Sequence, residues 1–247
     1  MSETAAGTSL EALSTLERER GYRFTREERR KPHLLFSWLD RIAHLPAVLD
    51  AVETLIGPDI LVVSSSLFIK EPCTDGFIGW HQDATYWYLS PMTVITAWVA
   101  LTPSHCGNGC MRMATGTHRL GELPHVETDD ENNVLSRRQN IIDGIEENQV
   151  RDVVLRPGEM SLHDFNIAHC SGPNSSNVRR IGFAIRYIPP HLDQTGGPLM
   201  SACLARGEDR HHHFDAEPRP SRDFDPITVA YRDELLQRHA STEYATL

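Results

Sequence analysis

The sequence predicts a single, mainly β domain, a sandwich or barrel of short strands with helices at its flanks. Three observations carry this reading. From residue 58 onward, runs rich in β-branched residues are separated by turns containing Pro or Gly. Helical periodicity is confined to the two ends of the chain. With 247 residues, 40% of them hydrophobic, the chain is long enough to bury a sizeable core as one domain.

Taken in order, residues 9–57 read as helical. Pro46 opens a helix whose apolar positions Val48, Leu49, Val52, Leu55 and Ile56 recur at helical spacing and stop at Gly57-Pro58. Residues 60–69 (ILVVSSSLFI) form a strand that ends before Pro72, and 93–101 form a buried strand between Pro91 and Pro103. Short strands at 153–155 and 160–162 flank the turn Arg156-Pro157-Gly158-Glu159. In 181–188, Ile181, Phe183, Ile185 and Tyr187 alternate onto one face. Residues 118–152 are polar and poorly patterned, as expected of an insertion or lid. Residues 225–240 form a closing helix with Pro226 in its first turn. The expected organisation is one unit: helical support over 1–57, a core over 58–190 and a C-terminal extension over 191–247.

The formal net charge is -10, which argues against a nucleic-acid or anionic-membrane footprint. No apolar stretch approaches membrane-spanning length, and the polar N-terminus lacks a secretory pattern. The five cysteines include one CxxxC, Cys106 and Cys110, without a second pair, which argues against a zinc knot. Reduced thiols in a cytoplasmic protein, monomer or homodimer, is the expectation.

The chemistry is carried by His81-Gln82-Asp83. On an extended backbone, residues i and i+2 share a face, so His81 and Asp83 point the same way. With the distant His169 they form a two-histidine, one-carboxylate set, which binds Fe(II) and leaves open positions for a cosubstrate and O2. Arg180 could clamp a remote carboxylate bidentately, which a lysine could do only as a point charge. Trp80, Tyr86 and Trp87 flank the motif as an apolar wall.

The runs WHQDATYWYLSP, VITAWVALTPSHCGNGCMRMATGTHRLG and LRPGEMSLHDFNIAHCSGPNSSNVRRIGFAIRY together resemble the phytanoyl-CoA dioxygenase family of Fe(II)/2-oxoglutarate oxygenases, over roughly residues 58–190. The resemblance implies a double-stranded β-helix, that is, a jelly-roll, cupin-like core with flanking helices. It implies that His81, Asp83 and His169 are iron ligands and that Arg180 anchors 2-oxoglutarate. It implies further cosubstrate contacts from Ser171, Trp98 and Ser66. Thr115 and Thr117 stand where the family usually has Pro and Ser. One subset of the family replaces the metal-binding Asp with a small residue and halogenates; retention of Asp83 implies hydroxylation, or desaturation or cyclisation at the same iron, with 2-oxoglutarate converted to succinate and CO2, and the compact chain with its aromatic-rich motif favours a small-molecule substrate over a protein or peptide side chain.

Some neighbours compete for these roles. Arg179 faces the opposite way from Arg180 on a strand and reads as a surface ion pair. His163 does not sit at the family spacing to Arg180 and reads as structural. Arg186 points opposite Phe183 and Ile185, and either binds a substrate anion or pairs with an acid; Arg112 has the same two readings. His211-His212-His213 reads as an exposed loop. A non-catalytic jelly-roll binding protein is the reading from another class, and cosubstrate turnover separates it from an enzyme.

Overall fold

The computed structural model describes residues 1–240, with backbone alone at Tyr86, His239 and Ala240. Three helices come first: α1 (Glu3–Arg20), α2 (Ser37–Ala43) and α3 (Pro46–Ile56). The strands follow as β1 (Ile60–Lys70), β2 (Ile78–His81), β3 (Leu89–Ser90), β4 (Ile95–Ala100), β5 (Met111–Ala114), β6 (His125–Glu127) and β7 (Gln139–Ile141). After them come β8 (Val150–Val153), β9 (Met160–Asp164), β10 (His169–Ser171), β11 (Arg180–Ile188), β12 (Asp193–Gln194), β13 (Ser201–Arg206) and β14 (Asp215–Ala216), and α4 (Pro226–Ala240) closes the chain.

Two sheets make the jelly roll. The larger has six strands in the order β14-β13-β1-β11-β4-β9, and the smaller four in the order β2-β10-β5-β8. On β11 the alternation separates two environments. Ile181, Phe183, Ile185 and Tyr187 face outward and pack with Leu39, Val48 and Val52 beneath α2 and α3. Arg180, Gly182, Ala184 and Arg186 face the barrel interior, where the register lines up cross-strand rungs. One rung is Ser64, Arg186, Thr96 and His163; the next is Ser66, Ala184, Trp98 and Ser161. A third pairs Lys70 with Arg180.

The helical expectation holds for α3 and α4. Gly57 stops α3 with φ 91, and the Asp225 carboxylate accepts the Ile227 N–H at the start of α4. It fails between residues 21 and 36. Gly21 (φ 74) ends α1, and Pro32 starts only a single 3-10 turn. That irregular arm is held by polar burial: Lys31 bonds Glu217, the Val63 carbonyl and Ser201. His33 sits between Ser65 Oγ at 2.6 Å and Glu217 Oε2 at 2.8 Å.

The stretch 118–152 folds as the β6–β7 hairpin, pinned beside β2, and leads at its end into β8 of the four-stranded sheet. Asn133 Oδ1 accepts the Gly79 N–H and Asn140 Oδ1 accepts the Trp80 N–H, at 3.3 and 3.0 Å. These are side-chain bonds, so they leave no periodic signal in the sequence. The segment after 190 is more than an extension, since β13 pairs with β1 and carries the six-stranded sheet onward.

Candidate active site

The two candidate histidines lie directly opposite each other: His169 on β10 pairs with His81 on β2. Their rings are 4.2 Å apart between centroids. Asp83 lies beyond the end of β2, as the first residue of a 3-10 turn. It still shares the inward face with His81 because Gln82 between them is extended (φ -114, ψ 129). Asp83 Oδ1 stands 3.4 Å from His81 Nε2 and 3.9 Å from His169 Nε2. All three donor atoms fall within 4.8 Å of one another. Metal–ligand bonds of roughly 2.1 Å at right angles place neighbouring donors about 3 Å apart, so a small inward movement closes the set on an ion.

The imidazoles are oriented for this. His81 Nδ1 donates to the Gly79 carbonyl at 2.9 Å, and His169 Nδ1 donates to the Ile167 carbonyl at 3.0 Å. A carbonyl only accepts, so the proton lies on Nδ1 and the Nε2 lone pair faces Asp83 in both rings. Burial, then the neighbouring His81, pushes His169 down to about 4, which favours the neutral, metal-binding form. Burial alone would raise Asp83. The Arg186 guanidinium, 3.6 Å from Oδ2, opposes this and holds the carboxyl below its usual range, since neutral imidazoles that turn their Nε2 lone pairs to Asp83 donate nothing to it.

Arg180 and Arg179 separate as strand alternation requires. Arg179 lies on the outer surface, bonded to Glu17 at 2.7 Å and Glu71 at 2.9 Å, and ties α1 to the sheet. Arg180 is 2% exposed, and no carboxylate pairs with it among the described residues. Its Nε has no hydrogen-bond partner, nor does the buried Ser171 Oγ. The guanidinium lies 5.3 Å from the centroid of the Trp98 ring. Burial pushes Arg180 down to about 10. A desolvated guanidinium with no acid beside it among the described residues is costly unless an anion arrives.

Lys70, which sequence reasoning missed, pairs with Arg180 in register and adds a second buried cation. Its Nζ donates to the carbonyls of Gly76, Ser171 and Gly172. Burial, then the Arg180 charge, pushes it down to about 7. At the end of a strand before Glu71-Pro72, this lysine reads as ordinary surface.

Other expectations move. Arg186 is inside the barrel, as its alternation requires, but its partner is an acid: its Nη2 stands 3.6 Å from Asp83 Oδ2, and its Nη1 donates to Ser66 Oγ at 3.0 Å. The Ser66 hydroxyl is thereby engaged by Arg186. Trp80 faces away from the metal donors and packs with Leu123, Ile141 and Ala168 under the β6–β7 hairpin. The period that turns His81 inward turns Trp80 outward. Trp87 packs edge-on against Phe165 with centroids 5.1 Å apart. The Tyr86 side chain lies outside the described atoms. His163 is buried beside the site, 5.4 Å from His169 between ring centroids, with Nδ1 unpartnered. Arg112 is a surface residue paired with Glu147 and Asp152.

Gln82 also went unread. Its amide donates to the carbonyls of Gly121 and Asn166 and accepts the Leu123 N–H, at 2.9, 2.7 and 2.8 Å. It clamps two loops behind the metal donors.

A jelly roll that turns two histidines and an aspartate toward a buried, unpaired arginine has the layout of a non-haem iron, 2-oxoglutarate-dependent oxygenase. The chain belongs to the phytanoyl-CoA dioxygenase family, whose family model matches residues 4–182. It is 31% identical to the peroxisomal phytanoyl-CoA dioxygenase of Homo sapiens over 143 residues, 56% of this chain and 42% of that one. It is 27% identical to a "Probable alpha-ketoglutarate-dependent hypophosphite dioxygenase" of Stutzerimonas stutzeri over 158 residues, 63% of this chain and 54% of that one. The chain thus spans about half the length of these curated relatives. Among solved structures it is similar to the non-heme monooxygenase ThoJ in its apo form, with 37% identity, a TM-score of 0.84, and coverage of 98% of this chain and 90% of that one. No helix among the described residues is long and apolar enough to cross a membrane.

Proposed function

We propose that the protein is an Fe(II)/2-oxoglutarate-dependent dioxygenase that hydroxylates a C–H bond of a small molecule. The observation that carries this is the buried Arg180 guanidinium, left without an acid on the same interior face as the His81, Asp83 and His169 donors. In this reading those three residues hold Fe(II). Arg180 and Lys70 neutralise the remote carboxylate of 2-oxoglutarate, Ser171 donates to it, and Trp98 walls the pocket. Bound iron would supply O2 activation coupled to decarboxylation of 2-oxoglutarate to succinate and CO2. The protein's part is to fix the two imidazoles by their Nδ1–H bonds, to hold Asp83 through Arg186, and to keep the pocket dry. Retention of Asp83 fills the coordination position that a halide would need, which favours oxygenation over halogenation.

Anaerobic titration of the metal-free protein with Fe(II) and 2-oxoglutarate tests this. A weak visible metal-to-ligand charge-transfer band develops in the wild type and is lost or weakened in Asp83→Ala and Arg180→Ala. Succinate release against a panel of small molecules then identifies the substrate. A folded protein that shows no band would overturn the reading and leave a jelly-roll binding protein.

A further inference from the structure

A second cluster of metal donors lies outside the candidate iron centre. Cys106, Cys110 and Asp152 each offer one ligand atom, and the three fall within 4.8 Å of one another. Cys106 Sγ stands 3.5 Å from Asp152 Oδ2, and the Cys110 thiol is in hydrogen-bonding contact with Cys106. Both cysteines are free. We propose that Cys106, Cys110 and Asp152 form a binding site for a thiophilic divalent cation such as zinc, with water in the fourth position.

Three features support the assignment. The first is spacing. Tetrahedral zinc with bonds of roughly 2.3 Å to sulfur and 2.0 Å to oxygen sets S···S near 3.8 Å and S···O near 3.5 Å. The second is the rigidity of the turn. Asn108, fully buried, accepts the His105 N–H at 2.8 Å and donates to the Pro103 carbonyl at 2.8 Å. The Cys110 N–H donates to the His105 carbonyl at 3.1 Å, which closes the turn with both thiols on one side. The third is the carboxylate, whose two oxygens are divided between partners. Arg112 Nε holds Oδ1 at 3.3 Å while Oδ2 faces Cys106. A ligating carboxylate whose other oxygen is held by a neighbouring charged group is a recurrent feature of metal sites. The third donor lies on β8, opposite Arg112 in the register of β5, so the CxxxC spacing alone does not reveal it.

Thiolate donors select zinc or cobalt over Fe(II) and Mg(II), and this cluster shares no residue with the His81, Asp83 and His169 set. The turn also abuts the proposed cosubstrate end: a Cβ on Gly109 (φ +71) would strike the Gly172 carbonyl, next to Ser171. An ion here would tie the 105–110 turn to β8 behind that segment.

The test is Co(II) titration of the reduced, metal-free protein under nitrogen. The candidate iron centre contains no sulfur, so only a thiolate site gives a near-ultraviolet sulfur-to-cobalt charge-transfer band. The expected result is a band that grows with added Co(II) and, where His81→Ala has disabled the other metal site, saturates at one equivalent per chain. It persists in His81→Ala, is lost in Cys106→Ser and Cys110→Ser, and needs tenfold or more Co(II) in Asp152→Asn. Cys106 is exposed, so its serine variant keeps the fold even if Cys110→Ser does not. Absence of the band in reduced, folded wild type overturns the proposal, as does a band that survives Cys106→Ser.

Discussion

Gly182 lies directly beneath the indole of Trp98, and a Cβ added there would land inside the ring. Only a residue without a side chain lets β11 pass under this indole, which in turn lies alongside Arg180. Gly182→Ala is expected to tilt Trp98 into the pocket. Affinity for 2-oxoglutarate should fall by tenfold or more while Fe(II) binding changes little, at a stability cost of about 1–3 kcal/mol. Fe(II) and 2-oxoglutarate titrations on the same sample separate the two effects, and equal loss of both would count against a local displacement.

Arg186 is the charged partner of Asp83 on the side away from the histidines. Arg186→Met should weaken Fe(II) binding by about 10- to 100-fold, because the carboxylate loses the group that fixes its orientation. Arg186→Lys should recover part of that affinity. Competition with a chromophoric Fe(II) chelator under nitrogen measures both, and unchanged affinity in the methionine variant would show that Asp83 needs no such support.

The Gln82 clamp predicts a loss of stability rather than of chemistry. Gln82→Leu keeps the volume but leaves the Leu123 N–H and the carbonyls of Gly121 and Asn166 without partners. Each buried unpaired group costs about 1–3 kcal/mol, partly relieved by entering water, so an overall loss of about 2–4 kcal/mol is expected. Urea unfolding of the metal-free protein reads this directly.

Glu217 sets an acid limit on stability. Burial would raise its carboxyl, but the Lys31 charge and the His33 hydrogen bond bring it down to about 2 from an ordinary value of 4.5. A depressed acid contributes stability that is present above its unfolded value and lost as pH falls through its folded one. The contribution is therefore full above about pH 5 and disappears between pH 4.5 and 2; its size is of order 3 kcal/mol. Glu217→Gln should be less stable at pH 7 and show a flatter decline across that acid range in thermal melts.

What the sequence made legible follows from local rules. His81 and Asp83 could be placed together because an extended Gln82 suffices, whether or not β2 continues past His81. Alternation set Arg179 and Arg180 on opposite faces, and the family spacing from His169 picked Arg180 as the inward one. The same rule, applied to Trp80, would have turned it away from the metal donors; its aromatic character outweighed its position. Lys70, Gln82 and the Arg186–Asp83 pair stayed hidden because each is defined by a partner remote in the chain. The strands after residue 190 are short, and their pairing with β1 has no local signature.

The polar knot of Lys31, His33, Ser201 and Glu217 joins an arm near the N-terminus to a residue just after β14, across the outer side of the sheet whose inner side carries Arg180 and Arg186. A fragment cut to residues 58–190 would therefore keep every proposed iron ligand and still lack an intact scaffold. It would bare the β1 edge that β13 covers, a template for strand-to-strand aggregation, and strip the apolar outer face of its helices. The segment that carries the motifs is thus expected not to fold by itself, because the helices before it and the strand after it cover its larger sheet.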